Sequence, residues 1–170
     1  CGDLRGSLER NGVRLMLEGG HLYGPDLLEP ANQVLVTELD AVLSAYPGLN
    51  VLLQGSRWDA TRYLTWLMKK HRNLHIELSA HQGNHAIELF SEWFGPERIL
   101  FGTGALDKSP GAAKSFVDYC TLDDGVKRMI ASENLMRLTG LTAAPPEYRS
   151  AAPRDPILAR AKKGLPLDNM

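Results

Sequence analysis

Four short apolar runs punctuate the chain, each followed by a polar turn and then by apolar positions at helical spacing. The runs are Val13 to Glu18 (VRLMLE), Val51 to Gln54 (VLLQ), Leu74 to Ser79 (LHIELS) and Ile99 to Thr103 (ILFGT). Their brevity and content of Val, Ile and Leu predict buried strands. Leu27 to Ala45 reads as the first helix, carrying Leu35, Leu39, Val42 and Leu43 and stopping at Tyr46-Pro47-Gly48. The second holds Ala60, Tyr63, Leu64, Leu67 and Met68 in one stripe. Lys69, Lys70 and Arg72 lie near its end, where the helix dipole favours cations. The third carries Ile87, Leu89, Phe90, Trp93 and Phe94 and ends at Gly95-Pro96; Ala112 to Cys120 and Asp123 to Leu138 supply two more.

Regular strand-helix alternation predicts right-handed βαβ units and therefore a parallel sheet. Four such units make half of a closed barrel or a small open sheet, and 170 residues is short beside the ~250 of a whole (β/α)₈ barrel. From Leu141 the texture changes: Thr142-Ala-Ala-Pro-Pro and Ser150-Ala-Ala-Pro read as linker, followed by a basic stretch from Ile157 to Lys163. The division expected is a folded unit over 1–142 and a Pro/Ala-rich, basic tail or linker over 143–170.

Composition narrows the class. With 44% hydrophobic and 23% charged residues the chain is an ordinary globular one, and its net charge of −1 gives no reason to expect nucleic acid or an anionic membrane as partner. No apolar run reaches the ~20 residues of a membrane span. Cys1 and Cys120 form no metal or redox spacing, so a reducing, cytoplasmic location is the default expectation. The opening, helix-like from Leu4 to Arg10 and with no initiator Met, reads as a piece of a longer chain.

The stretch from Asn73 to Leu138 carries a resemblance. It reads NLHIELSAHQGNHAIELFSEWFGPERILFGTGALDKSPGAA, then LDDGVKRMIASENLMRLTGL. This is similar to the final third of amidohydrolase-related (amidohydrolase 2 type) metal-dependent hydrolases. There a strand ends in Glu/Asp-Leu-Ser, Phe-Gly-x-Glu-Arg-Ile-Leu-Phe-Gly-Thr/Ser follows, and a helix ends in Ile-x-x-x-Asn-x-x-Arg-Leu. The last motif is met here by Ile130, Asn134, Arg137 and Leu138. Tyr46-Pro47-Gly48-Leu49-Asn50 also fits the family's join into its sixth strand. The likeness covers roughly residues 4 to 142.

The resemblance implies an α/β fold that is half of a (β/α)₈ TIM-type barrel, its four parallel strands being strands five to eight with their flanking helices. It implies C–N or C–O hydrolysis, or decarboxylation, of a small molecule at a divalent metal such as zinc. The missing N-terminal barrel half is then the first partner, and self-association through uncovered strand edges is expected. The competing class is a non-catalytic barrel retained for binding or assembly.

Family members take metal ligands from a His-x-His pair after strand one, from His residues ending strands five and six, and from an Asp ending strand eight. Here Glu18 ends the fifth strand, Gln54 takes the sixth-strand place, and Gly104 stands where the Asp would be. A Gln is a weak zinc ligand and a Gly offers no side chain, so no metal is expected from these positions. A chain with these departures is expected to be inactive by itself.

Glu18, Gln54 and Glu77 are the catalytic candidates; His21, Ser79, His81, Thr103 and Gly104 are candidates for substrate binding. Several have a structural alternative. Glu18 and His21 also read as a paired Glu and a solvated loop His. Glu77 and Ser79 share one strand face, which inside a barrel points to the axis, and Arg14 offers Glu77 an ion partner. His81 and His85 lie four apart, but Gly83 between them spoils a helical metal grip, and Asn84 is expected as the helix cap. Thr103-Gly104-Ala105 could hold a phosphate on backbone N–H groups. Trp58, Trp66 and Trp93 are read as core or helix-face packing. Pro156 to Met170 admits two readings, a basic tail or the approach to a further barrel strand.

Overall fold

The computed structural model describes residues 15–18, 22–23, 34–81, 83–105 and 108–142. Arg14, His21 and the segment 143–170 lie outside them. Four strands form a parallel sheet in the order β1 (Leu15–Glu18), β4 (Val51–Gln54), β5 (Leu74–Glu77) and β6 (Ile99–Leu100). The expected strands are therefore parallel and adjacent in sequence order, with helices between them, as one half of a TIM-type barrel requires. A second, two-stranded parallel sheet pairs β2 (Leu22–Tyr23) with β3 (Val34–Leu35). The sequence pattern had placed Leu35 inside a helix; instead α1 begins at Val36 and runs to Ala45. The later helices are α2 (Thr61–Lys70), α3 (Ala86–Phe94) and α4 (Pro110–Asp118).

Register divides the sheet into two faces. Met16, Leu52 and His75 stand side by side in one row, and Glu18 stands beside Gln54 two residues further along. Strand alternation puts Glu77 on the same face as His75, beside Leu100. The opposite face carries Val51, Leu53, Leu74, Ile76 and Ile99, all wholly buried. It packs against Leu39 and Leu43 of α1, Leu64, Leu67 and Met68 of α2, and Ile87, Phe90 and Phe94 of α3. Each helix presents one apolar stripe to this face, which is what the 3.6-residue spacing encoded. Trp58, Trp66 and Trp93 do not join that core. They are 63%, 47% and 47% exposed; Trp66 lies under Lys70, and Trp93 meets the rings of Phe90 and Phe94.

Buried polar side chains fasten the N-terminal ends of the strands. Asn73 donates to the carbonyls of Tyr46 and Leu49, both at 3.0 Å, and so fixes the entry to β4. Arg98 donates to the carbonyls of Met68 (2.9 Å), His71 (2.6 Å) and Leu74 (3.0 Å). Its cation thus closes the C-terminal end of α2, where carbonyls lack helical partners. The last helical stretch consists of α5 (Asp124–Arg128), a π turn over Met129–Glu133, and α6 (Asn134–Thr139). β6 is shorter than its apolar run because the N–H of Phe101 donates to the carbonyl of Ile130, in that π turn, at 3.0 Å.

Candidate functional site

The C-terminal ends of parallel strands are where barrel folds gather their chemistry, because the connecting loops converge there on one mouth. Here those ends frame a cleft of about 280 Å³ whose polar wall holds Gln54, Glu77, Ser79, Thr103, Gly104 and Lys108. Its apolar side is made by Met16, Leu52, Leu100, Phe101 and Leu135.

Glu77 ends β5, and the chain bends sharply after it. One carboxylate oxygen accepts the Ser79 N–H at 2.5 Å and the other accepts the Ser79 hydroxyl at 2.8 Å. A carboxylate that is 8% exposed must be hydrogen-bonded to be tolerated, and Ser79 supplies both donors two residues away. The same carboxylate fills the space above Gly102: a Cβ at that position would overlap its oxygen and its Cγ. Gly102 is therefore the residue that lets Glu77 fold inward.

Gly104 turns the chain with φ +57°, and its carbonyl accepts the N–H of Lys108 at 2.9 Å. The Thr103 hydroxyl accepts the Ala105 N–H at 3.2 Å. These bonds tie the turn after β6 together, and Ser109 and Pro110 then open α4. Pro is favoured at that first helical position because its φ is already helical and no partner is needed for a missing N–H.

Of the eight positions singled out from sequence, five line this cleft: Gln54, Glu77, Ser79, Thr103 and Gly104. Glu18 lies beside Gln54 in the sheet register, and His21 falls outside the described residues. His81 is placed elsewhere. It is 2% exposed, shares a hydrogen bond of 3.1 Å with the Thr61 hydroxyl through Nε2, and packs its ring 4.9 Å from that of Phe90. Burial lowers its pKa, against the opposing pull of the Ser56 backbone and the Asp59 charge. The cap of α3 falls on His85, in a left-handed conformation (φ 52°), and not on Asn84.

Two polar residues near the cleft escape a reading of the sequence alone. Lys108 lines the mouth, and its one signal is a cation four residues after the turn at Gly104. His75 lies on the same face as Glu77, one step deeper, with Nε2 3.3 Å from the Asn50 side-chain oxygen. Burial, reinforced by the charges of Arg98 and Arg137, pushes its pKa down to about 4. It is therefore a neutral imidazole at neutral pH.

A profile of the amidohydrolase family matches residues 12–141. The chain belongs to that family. No curated protein sequence matches it, but solved structures do. One is a TIM-barrel protein from Bordetella bronchiseptica, at 19% identity and TM-score 0.64, covering 81% of this chain and 49% of that one. Another is 5-carboxyvanillate decarboxylase from Sphingomonas paucimobilis, at 16% identity and TM-score 0.59, covering 82% and 52%. A third is a dihydroxybenzoic acid decarboxylase from Polaromonas with bound manganese and the inhibitor 2-nitroresorcinol, at 14% identity and TM-score 0.55, covering 82% and 53%. At these identities the likeness establishes the fold, and the chain spans about half the length of the amidohydrolase structures it matches.

The amidohydrolase family uses divalent metals, so the donor set here can be tested for fit. Among the described residues no three His, Cys, Asp or Glu side chains stand close enough to hold an ion. Gln54 brings a weakly ligating amide, Glu77 is engaged with Ser79, and Gly104 has no side chain. The described donors from β4, β5 and the turn after β6 do not fit a zinc or manganese site. Among the described residues no helix is long and apolar enough to cross a membrane.

Proposed function

We propose that the protein works as an amidohydrolase-type barrel on a small organic substrate, by hydrolysis of a C–N or C–O bond or by decarboxylation. The described residues form one wall of its pocket. The observation that carries this is the cleft itself. In a chain of this family, Gln54, Glu77, Ser79, Thr103 and Gly104 line one cleft at the C-terminal ends of parallel strands, on the face opposite the helix-packed core. In this reading Gln54 and Glu77 orient the substrate's polar groups, Ser79 holds the Glu77 carboxylate in place, and Thr103 and Gly104 shape the rim. Any metal draws its ligands from outside the described residues. The complementary half of the barrel supplies the opposite wall, and the 170-residue chain alone is inactive or self-associates.

A second reading, a barrel kept for binding or assembly without chemistry, is favoured by one specific observation, the donor set that does not fit a metal. One experiment separates the two. The full reading frame is expressed, its metal content measured by elemental analysis, and turnover assayed on a panel of hydroxylated aromatic acids, lactones and amides. Turnover on any class supports the enzyme, and substitution of Glu77 by Gln should then reduce it. Binding of panel members with no turnover and no metal would select the non-catalytic barrel.

A further inference from the structure

We propose that His81 is a positioning residue: as the Nε2–H tautomer it bonds Thr61, and so ties the loop after β5, which carries Ser79, to the turn that leads from β4 into α2. The proposal rests on the reading of the cleft as the ligand pocket and adds the group that sets two of its walls relative to each other.

The ladder between β4 and β5 ends at the pair Leu53 and Ile76. Gln54 still pairs with Glu18, and Glu77 with Leu100, but the register no longer fixes Gln54 and Glu77 to each other. Beyond them the chain runs into two different loops, and the His81 side chain crosses between these. Its Nε2 lies 3.1 Å from the Thr61 hydroxyl oxygen. Its backbone N–H donates to the Leu78 carbonyl at 3.1 Å, and the Leu78 N–H donates to the Leu100 carbonyl at 3.2 Å. A run of bonds therefore leads from β6, through the turn that holds Ser79, to the start of α2.

The direction of the crossing bond follows from Thr61. Its hydroxyl also meets the carbonyl oxygen of Trp58, which can only accept. The single hydroxyl proton goes there, so Thr61 accepts from His81 and the ring proton sits on Nε2. Nδ1 is then the bare nitrogen, and it is buried with no hydrogen-bond partner. Burial favours the neutral ring that this arrangement needs. A phenyl ring at this position would pack on Phe90 as the imidazole does, at 4.9 Å, and would bury no bare nitrogen. What the imidazole adds is the donor to Thr61.

The link acts on the cleft from both sides. Ser79, two residues before His81, gives its N–H and its hydroxyl to Glu77. Gln54 and Gly55, which line the same cleft, lead directly into the turn at Trp58. Holding His81 against Thr61 thus holds the wall of Glu77 and Ser79 against the wall of Gln54 and Gly55.

The test uses the protein of the full reading frame with its histidines labelled in ¹⁵N. Long-range ¹H–¹⁵N correlations of the ring, assigned by their loss in His81→Gln, should show the proton on Nε2. Exchange of the Ser79 amide reads the link from the opposite loop. Thr61→Val removes the acceptor and keeps the shape, so it should speed that exchange about tenfold or more while the β4 amides keep their protection. His81→Phe should do the same, and His81→Gln, whose amide still donates, should stay within about threefold of the parent. Turnover on the panel should follow that order, with kcat/KM lowered about tenfold in His81→Phe and near the parent value in His81→Gln. A proton on Nδ1, Ser79 exchange unmoved by Thr61→Val, or His81→Phe matching His81→Gln, as packing alone would give, would each overturn the link. The expected tautomer and exchange with no turnover of any panel compound would leave the link standing and defeat the catalytic reading. Turnover equal to the parent in both His81 variants would keep catalysis and overturn the positioning role.

Discussion

Asn134 donates its side-chain amide to the carbonyl of Ile99 at 2.8 Å, and so fills a hydrogen-bonding place on the outer edge of β6 with a helix side chain. In a parallel ladder alternate residues turn their polar groups to alternate sides. Leu100 faces β5, since its carbonyl accepts the Leu78 N–H at 3.2 Å. Ile99 and Phe101 therefore face outward. Asn134 takes the first and the Ile130 carbonyl takes the second, a carbonyl that sits in a π turn rather than a regular helical one. The same amide also holds Pro96 at 2.8 Å, and its oxygen accepts from Arg137 at 3.3 Å. The motif Ile-x-x-x-Asn-x-x-Arg-Leu is here a fastening for the last strand. Asn134→Ala leaves two carbonyls short of a partner and should cost about 2–3 kcal/mol. Urea unfolding checks the cost. Slow exchange of the Phe101 amide in the parent, lost in the variant, checks the edge.

Arg98 gives a second test. It is 4% exposed, and its donors end on three backbone carbonyls from α2, the turn after it, and β5. Burial, aided by the charge of Arg72, lowers its pKa to about 10, which still leaves it charged at neutral pH. Arg98→Met should destabilise the fold by about 3 kcal/mol or more, since the carbonyls it serves are buried. Arg98→Lys should recover little of that, because an ammonium cannot span the three acceptors as the planar guanidinium does. Denaturation midpoints of the two variants decide the point; a Lys variant close to the parent would show that charge alone matters.

Order and direction of the four strands were legible because each apolar run sits between a turn and a helix with one apolar stripe. Boundaries were less so. Val34 and Leu35 look helical by spacing, yet they pair with Leu22 and Tyr23, a contact no local pattern encodes. Ile99 to Thr103 reads as five strand residues, yet the distant Ile130 carbonyl, in the last helical stretch, claims the Phe101 N–H. The inward face of β5 was legible from alternation, so Glu77 and Ser79 could be placed. His81 could not, because its direction depends on the bend that Glu77 and Ser79 make together. Lys108 escaped notice because its place at the mouth depends on the turn at Gly104.

His75 predicts how stability responds to acid. Its pKa is about 4 in the folded protein, below the ordinary value of 6.5, because the buried ring is poorly hydrated and faces the charges of Arg98 and Arg137. Below pH 6.5 the unfolded chain gains a proton at this residue and the folded one does not, so stability falls as pH drops from about 6.5 to about 4. The loss approaches about 3 kcal/mol at the lower end. His81, also lowered by burial, acts in the same direction. Asp40 is bonded to Lys70 and His71, and its pKa is lowered principally by the Lys70 bond; its contribution is present above the ordinary carboxylate range and fades as pH falls through its folded pKa. Urea midpoints at pH 7 and pH 5 should therefore differ, and His75→Gln should flatten the part of the slope nearest pH 6. An unchanged slope in that variant would move the effect to other groups.

Glu77 and Gly102 supply the last prediction, because one explains the other. The carboxylate lies where a Cβ at 102 would go, so Gly102→Ala forces Glu77 out of its bonds with Ser79 and should cost about 1–3 kcal/mol as an overpacked, unpaired site. Glu77→Ala removes both the carboxylate and the obstacle. In that background the added methyl enters vacated space, and Gly102→Ala should cost little. The double-mutant cycle then shows a coupling of about 1 kcal/mol or more. Additive costs would mean that the carboxylate does not rest on Gly102, and the inward pose of Glu77, on which its place in the cleft depends, would have to be given up.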